Sequence, residues 1–134
     1  MTLVQYESVA LERDEASHNR RWQINDAGEL FYHRNQAGCV RPDEAEVYWF
    51  DAPSPSQPTR VLSPAQMDTL RAHLRTFADW PAQTRRDCQD TEHGGWDRLR
   101  LSCGERTIEI ELHSRYQNEM KALISPIQAL WLDA

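Results

Sequence analysis

The segment from Trp96 to His113 constrains the fold most strongly, because two independent patterns in it agree on one strand pairing. Gly104-Glu105 predicts a two-residue type II′ turn, since the first position of that turn needs a positive φ that glycine adopts freely. This turn pairs apolar residues on one face and opposite charges on the other: Leu99 with Ile110, Leu101 with Ile108, Arg98 with Glu111 and Arg100 with Glu109. The segment therefore predicts an antiparallel hairpin with one buried face and one face of ion pairs.

A second hairpin is predicted from residues 21–25 and 29–34, which are joined by Asp26-Ala27-Gly28. A three-residue loop pairs apolar and aromatic side chains across the strands, Trp22 with Tyr32 and Ile24 with Leu30. A two-residue loop would instead oppose like charges at two positions, Arg21 with Arg34 and Asp26 with Glu29. The three-residue loop is therefore preferred. Residues 3–12 and 45–50 predict two further strands, and residues 14–19 and the proline-rich 51–58 predict loops.

Two helices are predicted in the second half of the chain. Ser63-Pro64-Ala65-Gln66 has the pattern of a capping box with proline at the first helical position, and the helix is expected to end near Ala78. Its apolar stripe has helical spacing: Met67, Leu70, Leu74 and Phe77. A second helix is predicted over residues 118–124. Ser125-Pro126-Ile127-Gln128 repeats the cap pattern, which predicts a kink or a new helix that reaches Leu132.

These elements predict the fold class. About six strands and two helices, without alternating strand–helix–strand units, favour an α+β fold: an antiparallel sheet with both helices on one face. The length of 134 residues is typical of one domain, which would span residues 1–134. Residues 82–95 have no clear periodicity and predict no element.

Charge and composition limit the classes of function. The net charge of −6 argues against a nucleic-acid-binding protein, which needs a basic surface for the phosphate backbone. No apolar run is long enough for a membrane span, and the first residues do not resemble a signal peptide, so we expect a cytoplasmic protein. Three widely spaced cysteines do not predict a disulfide framework. The acidity is concentrated: residues 1–51 contain ten acids and five bases, a net charge of −5.

The densest polar segment, residues 85–96, contains residue types that can support catalysis or metal binding. Cys88 and His93 could act as a thiolate and a base or ligate a metal, with Asp87 or Asp90 orienting the imidazole. However, a zinc site needs three or four ligands at recognisable spacings, and no such motif is present. We expect a solvated loop, and therefore neither catalytic residues nor a metal nor a cofactor.

A protein-binding surface is predicted where acidic residues directly precede aromatic ones. Residues 43–46 are acidic and residues 47–50 are apolar or aromatic, and a sheet that is covered on one face would leave some of these aromatics exposed. A strand buried on both faces is the alternative. With the polar loop added, the residues predicted to contact a partner are Asp43, Glu44, Glu46, Tyr48, Asp87, Asp90, Glu92 and Trp96.

The second half of the chain has a recognisable order of elements: Leu62-Ser63-Pro64-Ala65-Gln66, the Met67/Leu70/Leu74/Phe77 helix, a Trp80-Pro81-Ala82 exit, a hairpin and a closing leucine-rich helix. This order, over residues 62–134, resembles emfourin-type proteins, which are small bacterial inhibitors of thermolysin-like metalloproteases. The resemblance implies a protein-binding role. The Gly-Gly-Phe feature of that family has no counterpart here, so no inhibitory residue is carried over.

The chain is therefore expected to be a small protein-binding domain, an inhibitor or an immunity protein, that recognises a basic toxin or a protease by surface complementarity. It is not expected to bind nucleic acid or a membrane. Two alternatives stay open: a metal- or thiol-dependent enzyme that uses the 87–93 loop, and a structural or oligomerisation module.

Overall fold

The computed structural model describes residues 1–88 and 93–132. Its strands and helices, in chain order, are β1 (Thr2–Ala10), β2 (Arg20–Asn25), β3 (Glu29–Arg34), β4 (Arg60–Val61), α1 (Pro64–Arg75), β5 (Gln83–Arg86), β6 (Gly95–Cys103), β7 (Arg106–His113) and α2 (Gln117–Leu132). Two 3-10 helices, Arg13–His18 and Ser114–Tyr116, complete the set. The strands form one sheet in the order β4-β3-β2-β1-β6-β7-β5, which is antiparallel except for the parallel pair β5–β7. The predicted α+β class is confirmed, with a single domain and seven strands.

Both helices cover the same face of the sheet. Their apolar stripes and the inward side chains of the strands form one core, in which Trp22, Leu70, Ile110 and Ile127 are essentially inaccessible. The sheet contributes its residues in alternation, because successive side chains of a strand point to opposite faces. The opposite face, which we call the outer face, therefore carries the other half of the strand residues.

Both predicted hairpins are confirmed in register. β6 and β7 pair as the sequence predicts, and Gly104 adopts a φ of +61° at the turn. β2 and β3 pair Trp22 with Tyr32, and Gly28 has a φ of +83°. One charge pairing differs. Arg100 forms an ion pair with Glu109, but Arg98 binds Glu7 of β1 instead of the Glu111 opposite it.

The first helix begins as predicted and ends earlier. Ser63 and Gln66 form the reciprocal hydrogen bonds of a capping box. α1 ends at Arg75, and residues 76–79 form turns rather than a further helical turn. α2 is one helix from Gln117 to Leu132 that contains Pro126. The helical segment therefore reaches Leu132 as predicted, but the alternative of a new helix at Ser125-Pro126 is wrong.

The predicted strand over residues 45–50 is wrong. The polar groups around this segment bond to asparagine side chains rather than to a strand: the Trp49 carbonyl accepts from Asn19 Nδ2 (3.0 Å), and the Asp51 N–H donates to Asn35 Oδ1 (3.1 Å). Four elements were not predicted, one of which is the short 3-10 helix Ser114–Tyr116 after β7. The other three lie earlier in the chain. These are the short strands β4 and β5 and the 3-10 helix Arg13–His18, which replaces a predicted loop.

None of the helices within residues 1–88 and 93–132 is long and apolar enough to cross a membrane. Cys39 and Cys103 are free thiols. Cys103 packs against the core at the end of β6.

Candidate functional site

The outer face of the sheet carries a row of alternating charges. In register across five strands, from β5 to β2, lie Arg85, Glu111, Arg98, Glu7 and Arg21. Strong contacts link neighbours in the row. Arg98 donates to Glu7 Oε1 from Nε (2.9 Å) and from a terminal nitrogen (2.6 Å), and Arg85 pairs with Glu111. Because the charges alternate in sign, the buried Glu7 lies between two arginines, Arg98 and Arg21. These opposite charges offset the free-energy cost of removing its carboxylate from water.

Each arginine of this row lies against an aromatic ring. The Trp96 ring lies 4.3 Å from the guanidinium carbon of Arg85, and the Tyr48 ring lies 3.9 Å from that of Arg98. The Phe50 ring lies 4.5 Å from that of Arg21. Such cation–π contacts hold residues 48–50 against the sheet. The aromatics predicted to be exposed are therefore half-buried on the chain's own arginines.

Residues 35–59, which we call the β3–β4 connection, are tied down by buried polar groups. Asn19 and Asn35 are buried and hydrogen-bond the connection to β1 and to the 3-10 helix. Asp51 accepts from His33 Nε2 (2.7 Å) and from the Gln36 N–H (2.7 Å). The Gln36 hydrogen bond is the main reason why the pKa of Asp51 is lowered. The connection is thus fixed in spite of having no strand or helix.

This anchoring brings two acidic segments together at one end of the molecule. Arg13 forms an ion pair with Asp43, and its Nε donates to the Arg41 carbonyl (2.9 Å). The Arg41 N–H in turn donates to the Arg13 carbonyl (2.9 Å). Residues 12–15 and 43–46 therefore form one surface, which we call the acidic end: Glu12, Asp14, Glu15, Asp43, Glu44 and Glu46. The sequence predicted only the second of these two segments.

The predicted partner-binding residues in the acidic end differ in their surroundings. Glu44 and Glu46 are exposed and form no ion pair among the described residues, while Asp43 is partly neutralised by Arg13. Tyr48 is half-buried over Arg98. Its hydroxyl has no hydrogen-bond partner within the described chain, and burial raises its pKa.

The predicted residues of the polar loop are separated from one another. Asp87 is exposed and pairs with Arg85 (3.2 Å). Trp96 is only 5% exposed, packed between Arg85 and His113, so its ring is not available to a partner. Asp90 and Glu92 lie outside the described residues.

The structure describes some of the residues predicted for the alternative of thiol or metal chemistry. Cys88 Sγ lies 3.8 Å from an Arg115 nitrogen, and His93 Nδ1 lies 3.1 Å from Glu12 Oε1. Among residues 1–88 and 93–132, no group of three or more histidine, cysteine, aspartate or glutamate side chains could hold a metal ion. The Glu12–His93 contact instead joins the polar loop to the acidic end.

A second candidate site lies on the other face of the sheet, between its end and α2. It is a cleft of about 340 Å³ with Tyr6, Ser8 and Asp97 among its lining residues. Tyr6 Oη donates to Asp97 Oδ2 (2.9 Å), and Ser8 Oγ donates to Asp97 Oδ1 (2.8 Å). We call it the Asp97 cleft. Burial raises the pKa of the Asp97 carboxyl, against the opposite effects of these two hydrogen bonds and of the Arg20 charge. Burial likewise raises the pKa of Tyr6.

Asp97 was missed by the sequence analysis, although a signal for it exists. Residues 99 and 101 of β6 point to the core, so residue 97 shares their face by the two-residue period of a strand. An aspartate at an inward position is unusual, because a buried carboxylate needs compensation. The neighbouring strands interrupt their apolar pattern at the same place: Ser8 of β1 and Arg20 of β2, which lie in register with Asp97, also take inward positions.

Neither a protein-family model nor a curated protein matches this chain. The resemblance of residues 62–134 to emfourin-type inhibitors therefore stays a prediction. Two surfaces stand out from their own charges and contacts: the acidic end and the Asp97 cleft.

Proposed function

We propose that this chain is a protein-binding domain that uses its acidic end to bind a basic surface of a partner protein, as an inhibitor or an immunity protein does. The observation that carries the proposal is the joining of residues 12–15 to residues 43–46 by Arg13 and Arg41. Six acids from two distant segments thereby lie together at one end of the molecule. Four of them are exposed and form no ion pair among the described residues: Asp14, Glu15, Glu44 and Glu46.

The arrangement suits recognition in two ways. Concentrated charge of one sign steers an oppositely charged partner and raises the association rate at low salt. The anchoring of the β3–β4 connection by Asn19, Asn35 and Asp51 keeps the acids in place before binding, which lowers the entropy lost on association.

The proposal is tested by capture of partners from the native lysate with three forms of the chain. One form is the wild type. The second is the acidic-end variant Glu15→Gln/Glu44→Gln/Glu46→Gln, which removes three exposed charges that have no ion pair among the described residues. We expect a protein with a basic surface that the wild type retains and the acidic-end variant loses.

The third form is a matched control, Asp68→Asn/Asp79→Asn/Glu105→Gln. These three residues are also exposed and unpaired among the described residues, and they lie outside the acidic end. The control changes the net charge by the same amount, so it should capture the same partner as the wild type. If both variants lose the partner equally, capture depends only on the overall charge of the chain. If both retain it equally, the partner binds outside the acidic end. Either result contradicts the proposal.

A further inference from the structure

The Asp97 cleft contains an anionic group without a cationic neighbour in contact. Both carboxylate oxygens of Asp97 accept hydrogen bonds from neutral hydroxyls, those of Tyr6 and Ser8. None of the ion pairs within residues 1–88 and 93–132 involves Asp97. The charge of Arg20 acts on Asp97 without contacting it, so this half-buried carboxylate is only partly compensated. Groups kept at such a cost are concentrated at binding sites.

Two cations lie at the rim of the same cleft. Arg20 and Lys121 both line it, both are exposed, and neither side chain forms a hydrogen bond or an ion pair among the described residues. Arg20 is opposite Ser8, and Ser8 is opposite Asp97, so Arg20 and Asp97 are two strands apart. Their Cα atoms are therefore separated by about 10 Å, which leaves room for a small molecule above Ser8.

The order of charges from interior to rim defines the ligand. A simple cation would pair with Asp97 but would be repelled by Arg20 and Lys121. A simple anion would pair with Arg20 and Lys121 but would be repelled by Asp97. A molecule with a positive group at one end and a negative group at the other satisfies both. Gln117, Asn118 and Gln128 of α2 also line the cleft and can hydrogen-bond to polar substituents.

We propose that the Asp97 cleft binds a small zwitterion with a protonated amine and a carboxylate, the chemistry of a free amino acid. The amine donates to Asp97, and the carboxylate lies between Arg20 and Lys121. This site is on the helix-covered side of the sheet and is distinct from the acidic end.

The test is calorimetric titration of the full chain with each of the standard free amino acids. We expect at least one to bind with a Kd below about 1 mM. The same compound with its amine acetylated, and the same compound with its carboxylate amidated, should each bind at least about tenfold more weakly, because each loses one charged contact. If none of the amino acids binds below this Kd, or if acetylation and amidation leave affinity unchanged, the proposal is wrong.

Variants locate the site. Asp97→Asn should weaken binding at least about tenfold, and Lys121→Gln should weaken binding of the amino acid but not of its amidated form. The matched controls Asp68→Asn and Arg75→Gln are exposed on α1 and should bind as the wild type does. Because Asp97→Asn alters a half-buried, hydrogen-bonded group, the fold of this variant is checked by circular dichroism. Amide shifts in the wild type give an independent readout: they should change at residues 97 and 121, and changes confined to other residues would overturn the assignment.

Discussion

Replacing Glu7 by glutamine should destabilise the fold far more than the same replacement at Glu109. Both residues lie on the outer face of the sheet, and each pairs with an arginine of β6. Their surroundings differ. The side chains of Glu7 and Arg98 are 7% and 24% exposed, whereas those of Glu109 and Arg100 are 32% and 47% exposed.

The expected magnitudes follow from this burial. Glu7 Oε1 accepts two short hydrogen bonds from Arg98, and glutamine would leave that half-buried guanidinium without its anion, at a cost of about 3 kcal/mol. The Arg100–Glu109 pair has one contact of 3.3 Å in solvent, so its loss should cost about 0.5 kcal/mol. For a chain of this length, the first cost corresponds to a decrease in Tm of roughly 10 °C.

The assay is equilibrium unfolding in urea near neutral pH, followed by circular dichroism, for the wild type and both variants. Repeating it at high salt sharpens the comparison, because screening should reduce the small effect at Glu109 and leave the large effect at Glu7 nearly unchanged. Equal free-energy costs at the two positions would refute the reasoning that burial of the charged row stabilises the outer face.

Three further predictions concern single side chains. Asp97→Asn should stabilise the fold near neutral pH, because burial raises the pKa of this carboxyl and makes its ionised form costly. The gain in stability should shrink as the pH falls towards about 4, the pKa of an unfolded aspartate. A gain that does not depend on pH in thermal unfolding would contradict this. Tyr48→Phe should leave stability unchanged or raise it by up to about 1 kcal/mol, because it removes a buried hydroxyl that has no partner within the described chain and keeps the ring on Arg98. A loss of more than about 1 kcal/mol in urea unfolding would show that the hydroxyl is hydrogen-bonded. Asp51→Asn should cost about 1–2 kcal/mol near neutral pH through its contacts to Gln36 and His33. Since the pKa of Asp51 is lowered in the fold, its ionised carboxylate contributes stability above the pKa of the unfolded state, and this stability is lost as the pH falls through the folded pKa. A cost of Asp51→Asn that persists at lower pH would show that the ionised carboxylate is not its source.

The sequence predicts the parts of this fold that short-range patterns specify. The β6–β7 hairpin is read correctly because its turn, its apolar pairs and its charge pairs are all local. The α1 cap is read correctly for the same reason. Arg98 shows the limit of local reasoning. Its cross-strand neighbour in the hairpin is Glu111, but a residue ninety-one positions away, Glu7, takes the ion pair.

The candidate sites depend on contacts between distant segments, which one sequence does not reveal. Residues 45–50 look like a strand by composition, yet buried asparagines bind this backbone in place of a neighbouring strand. The acidic end needs the Arg13–Asp43 contact, and the Asp97 cleft needs three strands in register. Only the inward position of Asp97 could have been recognised in advance, from the alternation in β6.

To test the claim that the acidic end binds a basic partner, the affinity of the captured partner is measured for the acidic-end variant and for its charge-matched control. At low salt, we expect Glu15→Gln/Glu44→Gln/Glu46→Gln to weaken binding at least about tenfold through slower association and faster dissociation. The difference in affinity from the wild type should narrow as salt is added. The control Asp68→Asn/Asp79→Asn/Glu105→Gln should bind within about twofold of the wild type. Equal affinities of the two variants for the partner would contradict the claim.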